Sequence, residues 1–516
     1  MSNIPIILFP FLTLFGTMLI CLLLEAFNIA KKTTPIVTTI GGFIALYSVI
    51  LSINGGTSYL FGNVNDIFDT TGTAGTIIVD DFFRFFAIVF LIVLVFVAIS
   101  SSDYMKTDHN IGVYYALLIL ATMGMMLIAA ANDLLMIFVA WELGSLPAYA
   151  LAAFQKSRAE TSESALKFFL IGAMSSAFIL FGISLIYGIT GETSLSTVIT
   201  TFSDVSNYSP LHILALMFLL VGFGYKMAAV PFHAWAVDVY QGTPTTITTF
   251  LAAGSKAMGF AAVLRIIVAG LTNLDSTWGF MFAILAVLTM TLGNVVALVQ
   301  TNIKRMLAYS SIAHAGYILI ALAAVANEPL ASLTGDTAIK VMDFSIAAAE
   351  FHILTHALMK IVAFTVVIVV AFSLQSENID DYAGLRKKHP WLVLGMTISI
   401  LSLMGIPPLA GFVSKLFILF SAIYADLIWL AIIGILNSAI SIFYYLRVIK
   451  LMIMDAPVEE QLETQIVKVE QMTPYKIPIS YGLTIGVGTL LIIVVGLFPE
   501  QIFDFAVAAA QSLMGV

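Results

Sequence analysis

Apolar runs long enough to cross a bilayer, each of roughly twenty residues, recur about fourteen times along this chain of 516 residues. Such a chain must fold as packed transmembrane helices, because within lipid only a helix or a closed barrel satisfies every backbone N–H and C=O. Composition agrees. Hydrophobic residues make up 60% of the sequence and charged ones 10%. A mean hydropathy of +1.04 is far beyond what a water-soluble domain of this length could carry on its surface. The expected fold class is an all-α polytopic membrane protein.

In chain order the spans fall near 4–24, 35–53, 82–101, 113–131, 133–153, 166–190, 211–240, 243–268, 278–299, 303–325, 344–373, 391–420, 424–450 and 480–498. A polar, Gly-rich loop with Asp66 and Asp69 separates the second and third, and the charged loop MDAPVEEQLETQ precedes the last. The first run lacks a basic leader and reads as a retained anchor. Lys31, Lys32, Lys106, Lys156, Arg158, Lys304, Arg305, Arg386, Lys387, Lys388, Arg447 and Lys450 all follow odd-numbered spans, whereas loops after even-numbered spans carry little beyond Lys340. By the positive-inside rule both termini face outward, in a multi-pass protein of the plasma membrane.

Two spans are interrupted. Pro231 follows Lys226 in the seventh, and Pro407 and Pro408 precede Lys415 in the twelfth. Each break frees backbone groups that lipid cannot satisfy, so it must pack in protein or face a hydrated cavity. Breaks five spans apart predict two inverted five-helix repeats, helices 4–8 and 9–13. The chain then divides into an N-terminal three-helix segment (1–110), a first repeat (111–270), a second repeat (271–450) and a charged loop with the C-terminal helix (451–516).

The net charge of −8 comes from few charges and gives no footprint for nucleic acid. The one cysteine, Cys21, lies in the first apolar run, so the chain has no intrachain disulfide and no cysteine set for an iron–sulfur cluster or zinc. Any redox chemistry belongs to other chains.

The costly residues point to function. A lysine at mid-membrane costs about 2.5–3.5 kcal/mol, and the stretch Leu216–Arg265 keeps both Lys226 and Lys256. Lys226 and Lys415 could instead snorkel to an interface, but the break beside each argues against it; Lys256 has apolar or small residues on both sides. Glu142, midway along the fifth span, is either a locally hydrogen-bonded neutral acid or the partner of a lysine. Burial disfavours the charged form of either group and proximity of the two favours both charges, so a Glu–Lys pair that opens and closes changes the lysine's proton affinity. His314, His356 and Lys360 lie inside apolar helices and suit either packing or a polar axis between the halves. His352 and His356 stand four apart, a spacing that also suits a metal, but the cation Lys360 extends the same face and argues against one. His233 and Asp238 flank the first break as caps or as part of an access channel.

The stretches YKMAAVPFHAWAVDVYQGTPTTITTFLAAGSKAMGFAAVLR, QTNIKRMLAYSSIAHAGY and MGIPPLAGFVSKLF resemble the antiporter-like membrane subunits of respiratory complex I and their relatives in multisubunit cation/proton antiporters. The resemblance runs from about Tyr114 to Arg447. Within the family the chain is most similar to subunit N (subunit 2) of NADH-quinone oxidoreductase or of archaeal dehydrogenases that use coenzyme F420. ESALKFFLIGAMSSAFILFGISLIYGITG resembles the sixth helix of that subunit, a lysine stands at 415 where M-type subunits have glutamate, and the long lateral helix of the L-type is absent. His356 and Lys360 depart from this, following a pattern closer to M- and L-type subunits.

The resemblance implies a proton-translocating subunit of a redox-driven pump. Glu142 and Lys226 would be its modulating pair, Lys256 its central relay and Lys415 its terminal exchange residue. Flavin and iron–sulfur clusters would sit in partner chains, with further membrane subunits and a peripheral redox arm completing the assembly. Two other readings stay open: a cation/proton antiporter subunit without redox partners, and a structural spacer whose channel is inactive.

Overall fold

The computed structural model describes residues 4–53, 55–60, 75–156, 158–203, 209–271, 277–327, 340–454 and 477–514. Asp66, Asp69 and the acidic stretch 455–465 lie outside them. Among the described residues 13 helices are long and apolar enough to cross a membrane. The shorter pair Pro390–Met404 and Ala410–Tyr424 together make up the remaining span read from the sequence.

The helices are α1 (Ile4–Ala26), α2 (Ala30–Leu51), α3 (Asp81–Tyr104), α4 (Ile111–Ala130), α5 (Leu134–Ala152), α6 (Ala159–Thr190) and a short α7 (Leu195–Ser203). The first broken span follows as α8 (Pro210–Met227) and α9 (Ala234–Gly242). The next comprises α10 (Thr245–Phe250), a π-helical turn (Leu251–Ser255) and α11 (Lys256–Leu271). After α12 (Thr277–Leu298), α13 (Ile303–Asn327) and α14 (Val341–Leu374), a short α15 (Leu385–Lys388) leads into α16 (Pro390–Met404) and α17 (Ala410–Tyr424). The chain closes with α18 (Ile428–Ile453), α19 (Ile479–Leu497) and α20 (Glu500–Met514). A small antiparallel hairpin pairs Ser58–Leu60 with Ile77–Val79.

Helix starts follow capping chemistry. Asp80 opens α3 from extended backbone and accepts from Phe83 N at 2.8 Å. Asp133 opens α5, accepting from Leu135 N and Met136 N, and Ser209 with His212 forms a reciprocal box before Pro210 at the start of α8. Large apolar side chains such as Leu12, Leu23, Phe181, Ile432 and Leu490 are exposed on outer helix faces, the arrangement suited to lipid contact. α14 is the central post: it packs against α3, α10, α13, α16, α17, α19 and α20. All of its first thirty residues are buried.

The terminal helix α20 was not expected from the sequence. Its aromatic and small residues, rather than a spanning apolar run, hold it against α3 and α14, with Phe503 packed on Phe417, Phe344 and Phe351.

Candidate functional site

The first break begins where α8 ends. Ala228 takes left-handed backbone (φ +55°) directly after Met227, and Pro231 follows. Its freed groups find protein partners: Trp235 Nε1 donates to Tyr225 O at 2.9 Å and Val230 N donates to Thr289 Oγ1 at 3.0 Å. Lys226, in the last turn of α8, is 1% exposed. Its ammonium donates to Ser145 Oγ at 2.7 Å and lies over the rings of Trp141 (5.3 Å), Tyr149 (5.8 Å) and Phe168 (5.9 Å). Trp141, Ser145 and Tyr149 recur every four residues and so share one face of α5. Glu142, three residues before Ser145, holds a buried Oε1 without a hydrogen-bond partner. It lies within electrostatic reach of Lys226, yet forms no ion pair with it within 4.0 Å.

α11 lies beside this lysine. A Cβ at Gly259, one turn after Lys256, would come within 3.1 Å of Lys226 Cβ, so the two helices approach closely at this glycine. The π-turn Leu251–Ser255 ends immediately before Lys256; such turns widen a helix locally and recur at functional sites. Lys256 donates to Ser311 O at 2.7 Å and Ser311 Oγ at 2.9 Å.

From Ser311 a polar file continues. Ser311 Oγ stands 3.5 Å from His356 Nε2. The His356 and His314 rings lie 5.1 Å apart, and His314 Nδ1 shares a hydrogen bond of 3.0 Å with His352 Nε2. His352 Nδ1 shares one of 2.9 Å with Ser414 Oγ, next in sequence to Lys415. All of these side chains are buried. Each hydroxyl and imidazole can both accept and donate, so the file has the chemistry to pass a proton.

The second break ends α16 at Met404. Gly405 has φ +88°, and Ala410 begins α17 after Pro407 and Pro408. Lys415 donates to the freed Met404 O at 3.0 Å and to Ser438 Oγ at 2.9 Å, and lies 4.8 Å over the Tyr317 ring. Gly411 N donates to Ser402 Oγ at 2.9 Å.

Of the residues expected in the interior, Lys226, Lys256, Lys360, Lys415, His314 and His356 are buried, whereas Glu142 is only partly buried. Lys360 leaves the main file, donating to Leu307 O at 2.8 Å and Ser310 Oγ at 2.9 Å, with Ser310 bonded to Tyr445. His352, read only for its metal-like spacing, is the link between His314 and Ser414. Ser311 and Ser414 had no signal beyond standing near a lysine or histidine in sequence. Among the described residues no three His, Cys, Asp or Glu side chains converge as for a metal. His233 precedes α9 without capping it through its side chain. Asp238 pairs with Lys167 of α6 at 2.9 Å and Arg305 of α13 at 3.1 Å.

Comparison with known proteins places this arrangement. Residues 131–441 match the family described as NADH:quinone oxidoreductase/Mrp antiporter, transmembrane. The F420H2 dehydrogenase subunit N of Methanosarcina mazei is 40% identical over 516 residues, covering 98% of each chain. The NADH-quinone oxidoreductase subunit N of Trichlorobacter lovleyi is 40% identical over 473 residues, covering 91% of each. Among solved structures, a chain of respiratory complex I from Thermus thermophilus with bound aureothin superposes with a TM-score of 0.75 at 30% identity, covering 96% of this chain and 98% of that one.

Proposed function

Because the chain belongs to the transmembrane family shared by NADH:quinone oxidoreductase and the Mrp antiporters, we propose a specific division of labour among its buried residues. The chain is a proton-translocating membrane subunit of a complex I-like pump, of the N type, with electron transfer carried out in partner chains. Glu142 and Lys226 are the modulating pair, Lys256 is the central relay, and Lys415 exchanges protons with one side. His314, His352 and His356 join the last two, and Lys360 is a side branch that biases the file by its charge. The observation that carries this reading is the file from Lys256 through Ser311, His356, His314 and His352 to Ser414, beside Lys415.

Its logic is electrostatic. When Lys226 leaves Ser145 for Glu142, the carboxylate balances its charge, its repulsion of a charge on Lys256 weakens and protonation there becomes easier. Each charge moved across 100 mV costs about 2.3 kcal/mol, the scale of a proton-affinity change of one to two pKa units, which an ion-pair rearrangement supplies. The two broken helices, the close pairing of α4 with α5 and of α12 with α13, and the lysine at each break support two inverted five-helix repeats. The loop charges support outward-facing termini. Flavin and iron–sulfur clusters in a peripheral arm would supply the energy, with reduced F420 or NADH as donor.

The test is Lys256→Ala in the intact membrane complex, reconstituted in vesicles. Assembly and electron transfer persist while proton translocation falls about tenfold or more; full pumping in that variant overturns the relay. Co-purification of small antiporter chains in place of flavin and iron–sulfur chains would assign the chain to an antiporter without redox partners.

A further inference from the structure

α14 has two chemically active faces, and the file of histidines uses only one. Glu350 stands two residues before His352, about 200° round the helix and so on nearly the opposite side. It is fully buried, and neither carboxylate oxygen has a hydrogen-bond partner. It lies within electrostatic reach of Asp80 and Arg265. Those two form a buried ion pair, Arg265 donating to Asp80 at 2.6 and 3.0 Å and also to Ala129 O. The guanidinium sits 4.6 Å over the Phe82 ring, and its Nε–H is unpartnered. Glu350 thus lacks a donor and Arg265 Nε an acceptor, both in the interior, where either alone is costly.

A second carboxylate extends this face. Asp343 precedes Glu350 by seven residues, which places it on the same side of α14 about 10 Å nearer the start of the helix. It is buried with Oδ1 unpartnered, and the Gln511 side chain of α20 reaches it. The neighbouring Ser512 accepts from Phe82 N at the start of α3, so the end of α20 caps the membrane face where α3 and α14 begin. On the inner side, Ser255, whose buried hydroxyl also lacks a partner, belongs to the π-turn that packs on α14 directly before Lys256.

We propose that Glu350, set against the Asp80–Arg265 pair and aligned with Asp343, is a second proton-exchanging carboxylate that connects the Lys256 region to the face beneath α20. This deepens the proton-translocating reading and rests on it. Protonated, Glu350 is neutral beside an ion pair that balances itself. On release its O–H bond breaks, the proton crosses the roughly 10 Å to the ionised Asp343 carboxylate along intervening water and leaves from there to the rim, and the carboxylate left at 350 shifts to accept the Arg265 Nε–H. Reprotonation from the Lys256 side returns the site to its starting charge. Asp80 keeps Arg265 in place throughout and does not itself exchange the proton.

The experiment compares Glu350→Gln, Glu350→Asp and Lys256→Ala in the same intact complex in vesicles, with electron transfer and proton translocation read together. Glu350→Gln keeps size and hydrogen bonding but cannot ionise; it is expected to lower translocation about tenfold with electron transfer retained, while Glu350→Asp keeps most of it. Asp343→Asn should give a smaller loss of the same kind. Infrared difference spectra during turnover should show a protonated-carboxyl band, sensitive to deuterium, that is missing in Glu350→Gln. Wild-type translocation in Glu350→Gln overturns the proposal, as does equal loss in the Gln and Asp variants. Should Glu350→Gln fail to assemble, the Glu350→Asp spectrum decides: an unchanged band, or none, overturns it. Lys256→Ala separates the two readings, since loss there with normal Glu350→Gln sinks only the carboxylate, and normal pumping in Lys256→Ala sinks the relay.

Discussion

The two breaks place a lysine in similar surroundings but hold it by different means. At the second break Lys415 is held by the break itself: Met404 O, freed where α16 ends, accepts its proton, and Ser438 Oγ is a second acceptor. At the first break the corresponding carbonyl is taken, because both Ala228 N and Trp235 Nε1 donate to Tyr225 O. Lys226 is left with one hydroxyl, Ser145, and three aromatic faces. A cation held by one hydrogen bond and diffuse ring contacts has less to lose on moving than one held by two directed acceptors. Lys226 is accordingly the more loosely held of the two lysines and Lys415 the more firmly held.

Double substitutions test that assignment most severely. Lys226→Ala and Lys415→Ala should each lower proton translocation about tenfold or more in the reconstituted complex. If Glu142 acts through Lys226, adding Glu142→Gln to Lys226→Ala should change little, because the two form one unit; added to Lys415→Ala it should compound the loss. Compounding in both backgrounds would remove the special link between Glu142 and the first break.

Much of the frame was legible in the sequence because membrane insertion leaves a coarse, cumulative signal: length and hydropathy found the spans, and Pro231, Pro407 and Pro408 found both breaks. The lysines were legible because each is costly where it stands. What the sequence concealed depends on helix rotation. His352 read as the i, i+4 companion of His356, but its link to His314 depends on how α13 and α14 are turned toward each other. Glu350 was silent because a lone acid in AAAEFHILTHALMK does not reveal that α14 is buried on every side or that the Asp80–Arg265 pair lies within its electrostatic reach. The π-turn before Lys256 and the helix α20 were hidden as well, the first because it lies inside a continuous apolar run, the second because nothing about it spans a membrane.

The backbone at the two breaks separates them next. Gly405 has φ +88°, and a Cβ there would meet Lys415 Cδ at 3.1 Å, so Gly405→Ala should cost about 1–3 kcal/mol and displace the lysine's stem. Thermal unfolding and pumping should fall together. At the first break Ala228 already occupies left-handed backbone at φ +55°. There the reverse change, Ala228→Gly, relieves a strained residue and should leave stability unchanged or raise it by up to about 1 kcal/mol. Equal destabilisation by both changes would mean that the two breaks tolerate backbone change alike.

Ser145→Ala acts on the looser lysine alone. It removes the one hydrogen bond that Lys226 makes, an unmet demand of about 1–3 kcal/mol in the interior, and the nearest compensation is Glu142, one turn away on α5. The pair should therefore spend more time closed, slowing turnover while sparing assembly. Its signature is an increased ionised-carboxylate signal from Glu142 in infrared spectra. Ser438→Ala, made at the second break for comparison, should leave Lys415 on Met404 O and change pumping less.

The smallest effect is expected from Trp235→Phe, and it asks whether the cap at the first break matters to the lysine at all. Phenylalanine keeps an aromatic face against Phe168, whose ring stacks on Trp235 at 4.9 Å, but loses the indole N–H that occupies Tyr225 O. One neutral hydrogen bond is worth about 1 kcal/mol net, so the unfolding midpoint should fall by a few degrees at most. Tyr225 O, still accepting from Ala228 N at 2.9 Å, then has one lone pair free to offer Lys226 as Met404 O does Lys415. If a free backbone acceptor is what fixes a lysine at a break, Trp235→Phe should make the first break behave more like the second: Lys226 less mobile, pumping modestly slower, and the Glu142→Gln effect diminished. Pumping at the wild-type rate, with Glu142→Gln as damaging as before, would mean that the aromatic rings and Ser145 alone set the freedom of Lys226.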